Sequence, residues 1–460
     1  METTMTLRSE IENGIAELGM NFSSFGELSG INRGIFSAIL NGSPPKPISL
    51  NQMETITRAF GKPEGWMFDL YIEECFYDGK PNRRRVEPFL IRCAELGRKD
   101  CIREVLSRLL EDLKHVSMIF DIAETLFTTG KVQESLIFYE CVVENEKYHH
   151  SERLAVSHYR IFRAVIGADN EQNLRAALRF EPFCGKLPDH HRLDGLLQLT
   201  TVYYSLERWK IAGHYADELI AFSANVYENE NMKRIKYKKY EPLLTERPLV
   251  KYYGQGYLAK GIMFEAQGEY QQAKLYIEKY ANLSWFEILD DQAEKEVEKF
   301  KLFAKANRLN LEILMGNTEY LDEYSEFLEK NPQEVLSGLL TIIKSSNQYG
   351  FFIDSIILKF STYLIDTDQV FQAKESYYDQ ATITHTMSNI FYHLAEYYIR
   401  KENYVTAIDY SLQSLQVSIK IRNKNIFMKC IPFFEEFRNF STTAQNQKYE
   451  ALMKEMYRNA

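Results

Sequence analysis

The chain has 460 residues, 45% of them apolar and 26% charged, with a formal net charge of −9. That balance excludes a mainly disordered chain, and 12 Pro with 22 Gly exclude a collagen-like or linker-like one. The acidity excludes a general basic coat for nucleic acid but leaves room for one small DNA-reading module.

The length allows roughly two to four domains. The first ten residues, Met1 to Glu10, contain no apolar segment of the signal-peptide kind. No apolar run approaches the length of a membrane span. The six cysteines are scattered without C-x-x-C spacing, as expected of buried, reduced thiols in a cytoplasmic protein. The 30 Tyr and 29 Phe, against 3 Trp, suit long helices packed through aromatic ridges.

Residues 1–76 read as a first domain of short helices. Leu7, Ile11, Ile15 and Leu18 make one helical stripe. Phe25, Leu28, Ile31, Phe36 and Ile39 supply the apolar knobs of two short helices around a bend at Gly30. Asn32 suits the N-cap of the second. Gly42, Pro44, Pro45 and Pro47 end it. Ser49 caps a fourth helix through Phe60, and a fifth runs from Trp66 to Phe76.

The spacing of Gly26, Gly30, Ile31, Asn32, Phe36, Ser37, Ile39 and Gly42, followed by Leu50, Ile56 and Phe60-Gly61, resembles the helix-turn-helix of the Xre, or lambda-repressor-like, family. That resemblance implies a second motif helix in the major groove of a double-stranded DNA operator. Asn32, Arg33, Ser37 and Ala38 would then face base edges, and Asn41 and Lys46 would lie near phosphates. Residues 1–76 hold five basic and ten acidic side chains, a net of −5. Since affinity rests largely on phosphate neutralisation, binding as a homodimer is expected. Residues 77–110 read as a basic helical linker, with nine basic and five acidic groups.

Residues 111–460 read as a repeat domain. Windows of one pattern recur: an apolar start, small residues, an aromatic, a Gly or polar turn, then a small residue in a second helix. They are Ile119…Gly130…Ser135, Leu196…Tyr203…Ala212, Tyr257…Gly268…Ala273, Leu309…Gly316…Tyr320, Phe360…Ala373…Tyr377 and Leu394…Tyr398…Ala407. Ala373 and Ala407 are 34 residues apart, and no window shows strand-like alternation. The windows are similar to tetratricopeptide repeats, paired antiparallel helices of about 34 residues. The expected fold is therefore all-α: an N-terminal helix-turn-helix domain followed by a tetratricopeptide-repeat right-handed superhelical solenoid with an inner groove lined by the first helix of each pair.

Carried over from the repeat family, Asn307 and Asn310 are expected to clamp a peptide backbone, being side by side at i, i+3. Asn389, Tyr392, Glu396, Thr201, Tyr204, Gln255 and Thr362 share the expected inner face, with Glu265 and His393. The basic stretch Lys233–Lys239 reads as a solvated helix face. Helices 399–440, with Phe427, Ile431, Phe433, Phe434 and Phe437, offer either a dimer contact or a capping core.

Motifs for metalloprotease, P-loop, dinucleotide or nucleophile-elbow chemistry are absent, so no enzyme activity, cofactor or metal is expected. An Xre-like head fused to such repeats resembles the RRNPP group, cytosolic receptors for short signalling peptides in Gram-positive bacteria and their phages. The resemblance implies a transcriptional regulator in which a short linear signalling peptide in the groove alters DNA binding, without membrane attachment. The alternative within the group is a peptide-gated protein-binding regulator whose head no longer reads DNA.

Overall fold

The computed structural model describes residues 5–146, 152–167, 169–365, 380–421 and 424–459. Ala373 and Tyr377 of one expected repeat window lie outside these residues. All regular structure among the described residues is helical. The chain divides into two compact units, Met1–Gly195 and Leu196–Ala460.

Unit 1 begins with α1 (Leu7–Glu17), α2 (Phe22–Ser29), α3 (Arg33–Leu40), α4 (Leu50–Ala59) and α5 (Phe68–Cys75). Capping boxes at Thr6, Asn21 and Ser49 start α1, α2 and α4 by satisfying orphan backbone donors. The α2–α3 bend needs two glycines for different reasons. Gly30 sits at φ +71, where a Cβ is costly. A Cβ on Gly26 would stand 2.9 Å from the Ile31 carbonyl oxygen. Phe25, Phe36, Ile39, Met53 and Ile56 are buried together, whereas Leu18 and Leu28 point outward at 44% and 52% exposed, unlike the expected stripe.

The unit continues through α6 (Arg83–Glu95), α7 (Lys99–Leu109), α8 (Val116–Thr128), α9 (Val132–Glu146), α10 (Glu152–Val165) and α11 (Asn170–Cys184). Here the expected linker over 77–110 is corrected. Val86, Phe89, Leu90, Val105 and Leu109 are buried in the same continuous core as Ile11, Phe25 and Ile122. The reason is that α6 and α7 carry full apolar faces, and three arginines in and beside them pair with acids of residues 1–76. Arg92 meets Glu54 and Glu64 at 2.8 Å, Arg98 meets Asp69 at 2.6 Å and Arg108 meets Glu73 at 2.9 Å.

The boundary between units falls within α12 (Asp189–Ser205). Unit 2 continues with α13 (Trp209–Lys236), α14 (Leu249–Ala266), α15 (Tyr270–Tyr280), α16 (Asp291–Leu314), α17 (Leu321–Lys330), α18 (Val335–Tyr349), α19 (Asp354–Lys359), α20 (Ser361–Ile365), α21 (Gln380–Arg400), α22 (Tyr404–Lys420), α23 (Lys424–Phe437) and α24 (Thr443–Asn459).

One turn recurs between paired helices. A residue of positive φ ends the first helix; its N–H bonds to the carbonyl three residues back, and the next N–H bonds five residues back. Gly97, Gly130, Glu207, Gly268, Gly316 and Glu402 all do this. This is the double bond of a Schellman ending, and it turns α6 into α7, α8 into α9, α12 into α13, α14 into α15 and α21 into α22. Ser135, Ala212, Ala273 and Ala407, the expected small positions, are all fully enclosed, as close helix approach requires. Tight contact within unit 2 is starkest on α14, where a Cβ on Gly254 would meet the Phe300 ring at 2.5 Å.

The aromatic set expected of a dimer contact or capping core lies in the chain's own packing. Phe434 stacks on Tyr449 at 4.0 Å, and Phe433 meets Phe437 at 5.1 Å. Among the described residues no helix is long and apolar enough to cross a membrane.

Candidate functional site

In unit 1 the outward face of α3 carries the residues expected to meet DNA. Arg33, Ser37 and Asn41 are exposed, Ala38 is half-buried and Lys46 is exposed on the following loop. Asn32 is engaged in capping α3, its Oδ1 accepting from the Gly34 N–H at 2.7 Å. The Lys46 backbone is fixed at both ends, its N–H donating to the Ala38 carbonyl at 2.8 Å and its carbonyl accepting from Arg8 at 3.0 Å. Four of the ten acids counted in residues 1–76, Glu54, Glu64, Asp69 and Glu73, are paired with arginines beyond residue 76. The net charge of the segment therefore overstates the negative field at α3. Leu28 and Ile35, 52% and 39% exposed, lie in the same motif.

In unit 2 the expected Asn307–Asn310 clamp is corrected. Asn310 is 7% exposed, and its carbonyl oxygen accepts from the Tyr324 hydroxyl. Asn307 donates its amide to Tyr280 Oη at 2.9 Å. Both amides hold α16 (Asp291–Leu314) to its neighbours, because that helix buries apolar residues on more than one side. Thr201 and Thr362 are exposed, and Gln255, Asn389, Tyr392 and Glu396 are half-buried. Thr201 donates to the Leu197 carbonyl and Asn389 to the His385 carbonyl. Glu396 meets His393 Nδ1 at 2.6 Å.

A hollow emerges from a different set of side chains. Tyr204 at the end of α12, Glu265 at the end of α14, Lys344 on α18 and His385 on α21 share one electrostatic environment, with Glu207, Glu396 and Lys429 acting on Lys344. Desolvation dominates each. It pushes the Glu265 carboxyl up to about 7, with Lys344 pulling the other way. It lowers the Lys344 ammonium, helped by Lys429 and opposed by Glu265, Glu207 and Glu396. It lowers the His385 imidazole and raises the Tyr204 phenol. Lys344, His385 and Tyr204 are nevertheless exposed. Side chains reached by water yet walled by protein mark a concave surface.

The hollow opens into a cleft lined by Glu207, His385, Asn389, Asn425, Ile426, Met428 and Lys429. It joins the α12–α13 turn to α23. Glu207, Glu265, Lys344 and Lys429 form no ion pair within 4.0 Å among the described residues, whereas acids and bases elsewhere on unit 2 commonly do. Lys429 instead stands 5.5 Å over the Tyr392 ring. Of the expected inner-face residues, the structure brings Asn389 to this cleft, Tyr392 under Lys429 at its edge, and Tyr204 and Glu265 to the hollow. Sequence reasoning missed Glu207, Lys344 and Lys429, for which no motif gives a signal.

The basic stretch from Lys233 sits at the end of α13, with Lys233 on Glu230 and Arg234 on Glu287. Among the described residues one cluster has the proximity of a metal site, Asp69, Asp100 and Cys101. Arg98 already neutralises both carboxylates there.

No family model matches the chain, and no curated protein matches it. A solved structure described as a circular tandem repeat protein with novel repeat topology and enhanced subunit contact surfaces covers 98% of this chain and 99% of that one. The identity is 10% and the TM-score 0.20, and a likeness at that score carries no argument.

Proposed function

We propose that the protein is a peptide-responsive DNA-binding regulator of the cytoplasm, with a helix-turn-helix head and a tetratricopeptide-like sensing domain. A short extended peptide occupies the hollow of unit 2. Its binding changes the affinity of a homodimer for a double-stranded operator. The observation that carries the reading is the hollow itself, with charged side chains from α12–α13, α14, α18 and α23 that have no ion-pair partner among the described residues. Unpaired charge in a walled surface costs folding free energy, and a ligand of matching polarity recovers it. The recurrent Schellman turns over buried small residues support the paired-helix repeat. Gly26, Gly30 and the exposed Arg33 and Ser37 support the DNA-reading helix.

A ligand shifts the head only if it binds two states of the protein unequally. The test is a gel shift on DNA upstream of the gene, with and without peptides encoded beside it. The expected result is a shift that the peptide strengthens or abolishes. No shift under any condition counts against DNA reading.

The exposed Leu28 and Ile35 favour a second reading, in which the head docks on a protein. Binding to DNA must weaken steeply with salt, whereas an apolar docking contact would be nearly indifferent to it.

A further inference from the structure

The cleft at the mouth of the hollow carries opposite charges on facing walls. Glu207 comes from the α12–α13 turn, and Lys429 comes from α23. No ion pair joins them. Met428, 67% exposed, and half-buried Asn389 lie with them. Lys344 and Glu265, which act on one another electrostatically, repeat the same opposition without an ion pair between them.

Glu207 also occupies an unusual backbone position. The equivalent turn residue is Gly at 97, 130, 268 and 316 and Glu at 402, all with positive φ. Glu207 holds φ +55 there, a conformation that a residue with a Cβ adopts at a cost. Glu402 holds φ +57 in the same kind of turn, so the backbone alone does not mark Glu207; what does is that its side chain lines the cleft.

Resting on the peptide-receptor reading, we propose that the ligand is a short oligopeptide carrying both signs of charge. Its carboxylate is held by Lys429 and Lys344, and its ammonium or guanidinium group by Glu207 and Glu265. The bound peptide thereby bridges the α12–α13 turn to α23, two segments far apart in sequence. Desolvation of Glu265 and Lys344 fits this assignment, since each group gains most from a partner that arrives with the opposite charge. The two charges of the ligand come from its chain ends or from its side chains.

The experiment uses the full-length protein, immobilised, and three pools of synthetic heptapeptides with the same randomised uncharged interior. One pool has free ends; one is acetylated and amidated; one is capped but contains one Lys and one Asp. Retained peptides are identified by mass spectrometry. The expected result is at least about tenfold enrichment of one charged pool over the neutral one. The free-ended pool marks terminal charges, and the capped Lys/Asp pool marks side-chain charges. Lys429→Gln is expected to abolish selection for the carboxylate, and Glu207→Gln selection for the cation. Glu207→Gly is expected to lose the same selection while raising Tm by about 2 °C, because the turn is relieved of its Cβ. Equal retention of neutral and charged pools, unchanged by Lys429→Gln and Glu207→Gln, overturns the charge assignment and leaves the peptide reading standing. Retention of no pool overturns the peptide reading itself.

Discussion

Arg8 and Glu74 form a 2.5 Å ion pair in which the Glu74 side chain is only 2% exposed. The second Glu74 oxygen accepts the Ile48 N–H at 2.8 Å. Arg8 also donates to the Ile39 carbonyl at 3.1 Å and to the Lys46 carbonyl at 3.0 Å. One pair thus fastens α1, the end of α3, the loop that follows it and α5. Glu74→Gln leaves the part-exposed Arg8 guanidinium without its countercharge and weakens the acceptor for the Ile48 N–H, which is expected to cost about 1–2 kcal/mol. The check is the urea midpoint of the unit 1 transition; an unchanged midpoint would mean that the pair does not hold the head together.

Arg33 and Arg92 should separate reading from folding. Arg33 is exposed with no ion pair among the described residues, while Arg92 contacts Glu54, Glu64 and Glu95. Arg33→Ala is expected to leave Tm unchanged and weaken operator binding by about tenfold or more. Arg92→Ala is expected to lower Tm, because it strands Glu54 on α4 and Glu64 on the loop after it and leaves Glu95 to Lys131 alone. A DNA defect in both variants, scaling with lost stability, would remove Arg33 from the reading face.

The turns show how far the sequence goes. Gly130, Gly268 and Gly316 announce themselves, because positive φ favours glycine. Glu207 and Glu402 fill the same backbone role invisibly, since nothing in a Glu reports its φ. Burial of Ser135, Ala212, Ala273 and Ala407 was legible because small residues recur at fixed offsets. The pairing of Arg92, Arg98 and Arg108 with acids of the head was not, because such partners meet only through tertiary packing. Asn310 misled for a related reason. Helical spacing gives the faces of α16, but not that the face bearing Asn310 is covered by Tyr324. Glu265 lies at an expected ligand-facing position, whereas Glu207, Lys344 and Lys429 do not, so the basic side of the hollow had no sequence signature.

The Tyr324–Asn310 contact makes its own prediction. Both groups are enclosed, at 1% and 7% exposed. Asn310→Ala leaves the Tyr324 hydroxyl without that acceptor and is expected to cost about 2 kcal/mol. Tyr324→Phe removes the donor and strands the amide oxygen, at similar cost. The double variant should lose less than the sum of the two, since the stranded partner is gone. Denaturant titration of all four chains gives the coupling; strict additivity would show that the bond is not formed in solution.

Glu265 sets a pH signature for unit 2. Desolvation pushes its carboxyl up to about 7 in the folded chain, from an ordinary 4.5, with Lys344 pulling the other way. Between those values the folded state keeps a proton that the unfolded state has released, so stability falls as pH rises through this window and levels off above 7. Glu265→Gln cannot lose that proton. Its stability relative to wild type should therefore grow from about pH 4.5 to 7 and stay constant beyond, read as the difference in urea midpoint across a pH series. Parallel curves would mean that the carboxyl is solvated and that the hollow does not wall it in. A ligand ammonium placed on Glu265 adds a second consequence. It binds the ionised form, so occupancy of the hollow should lower the carboxyl's titration point and release protons near neutral pH, which calorimetry in buffers of different ionisation enthalpy detects directly.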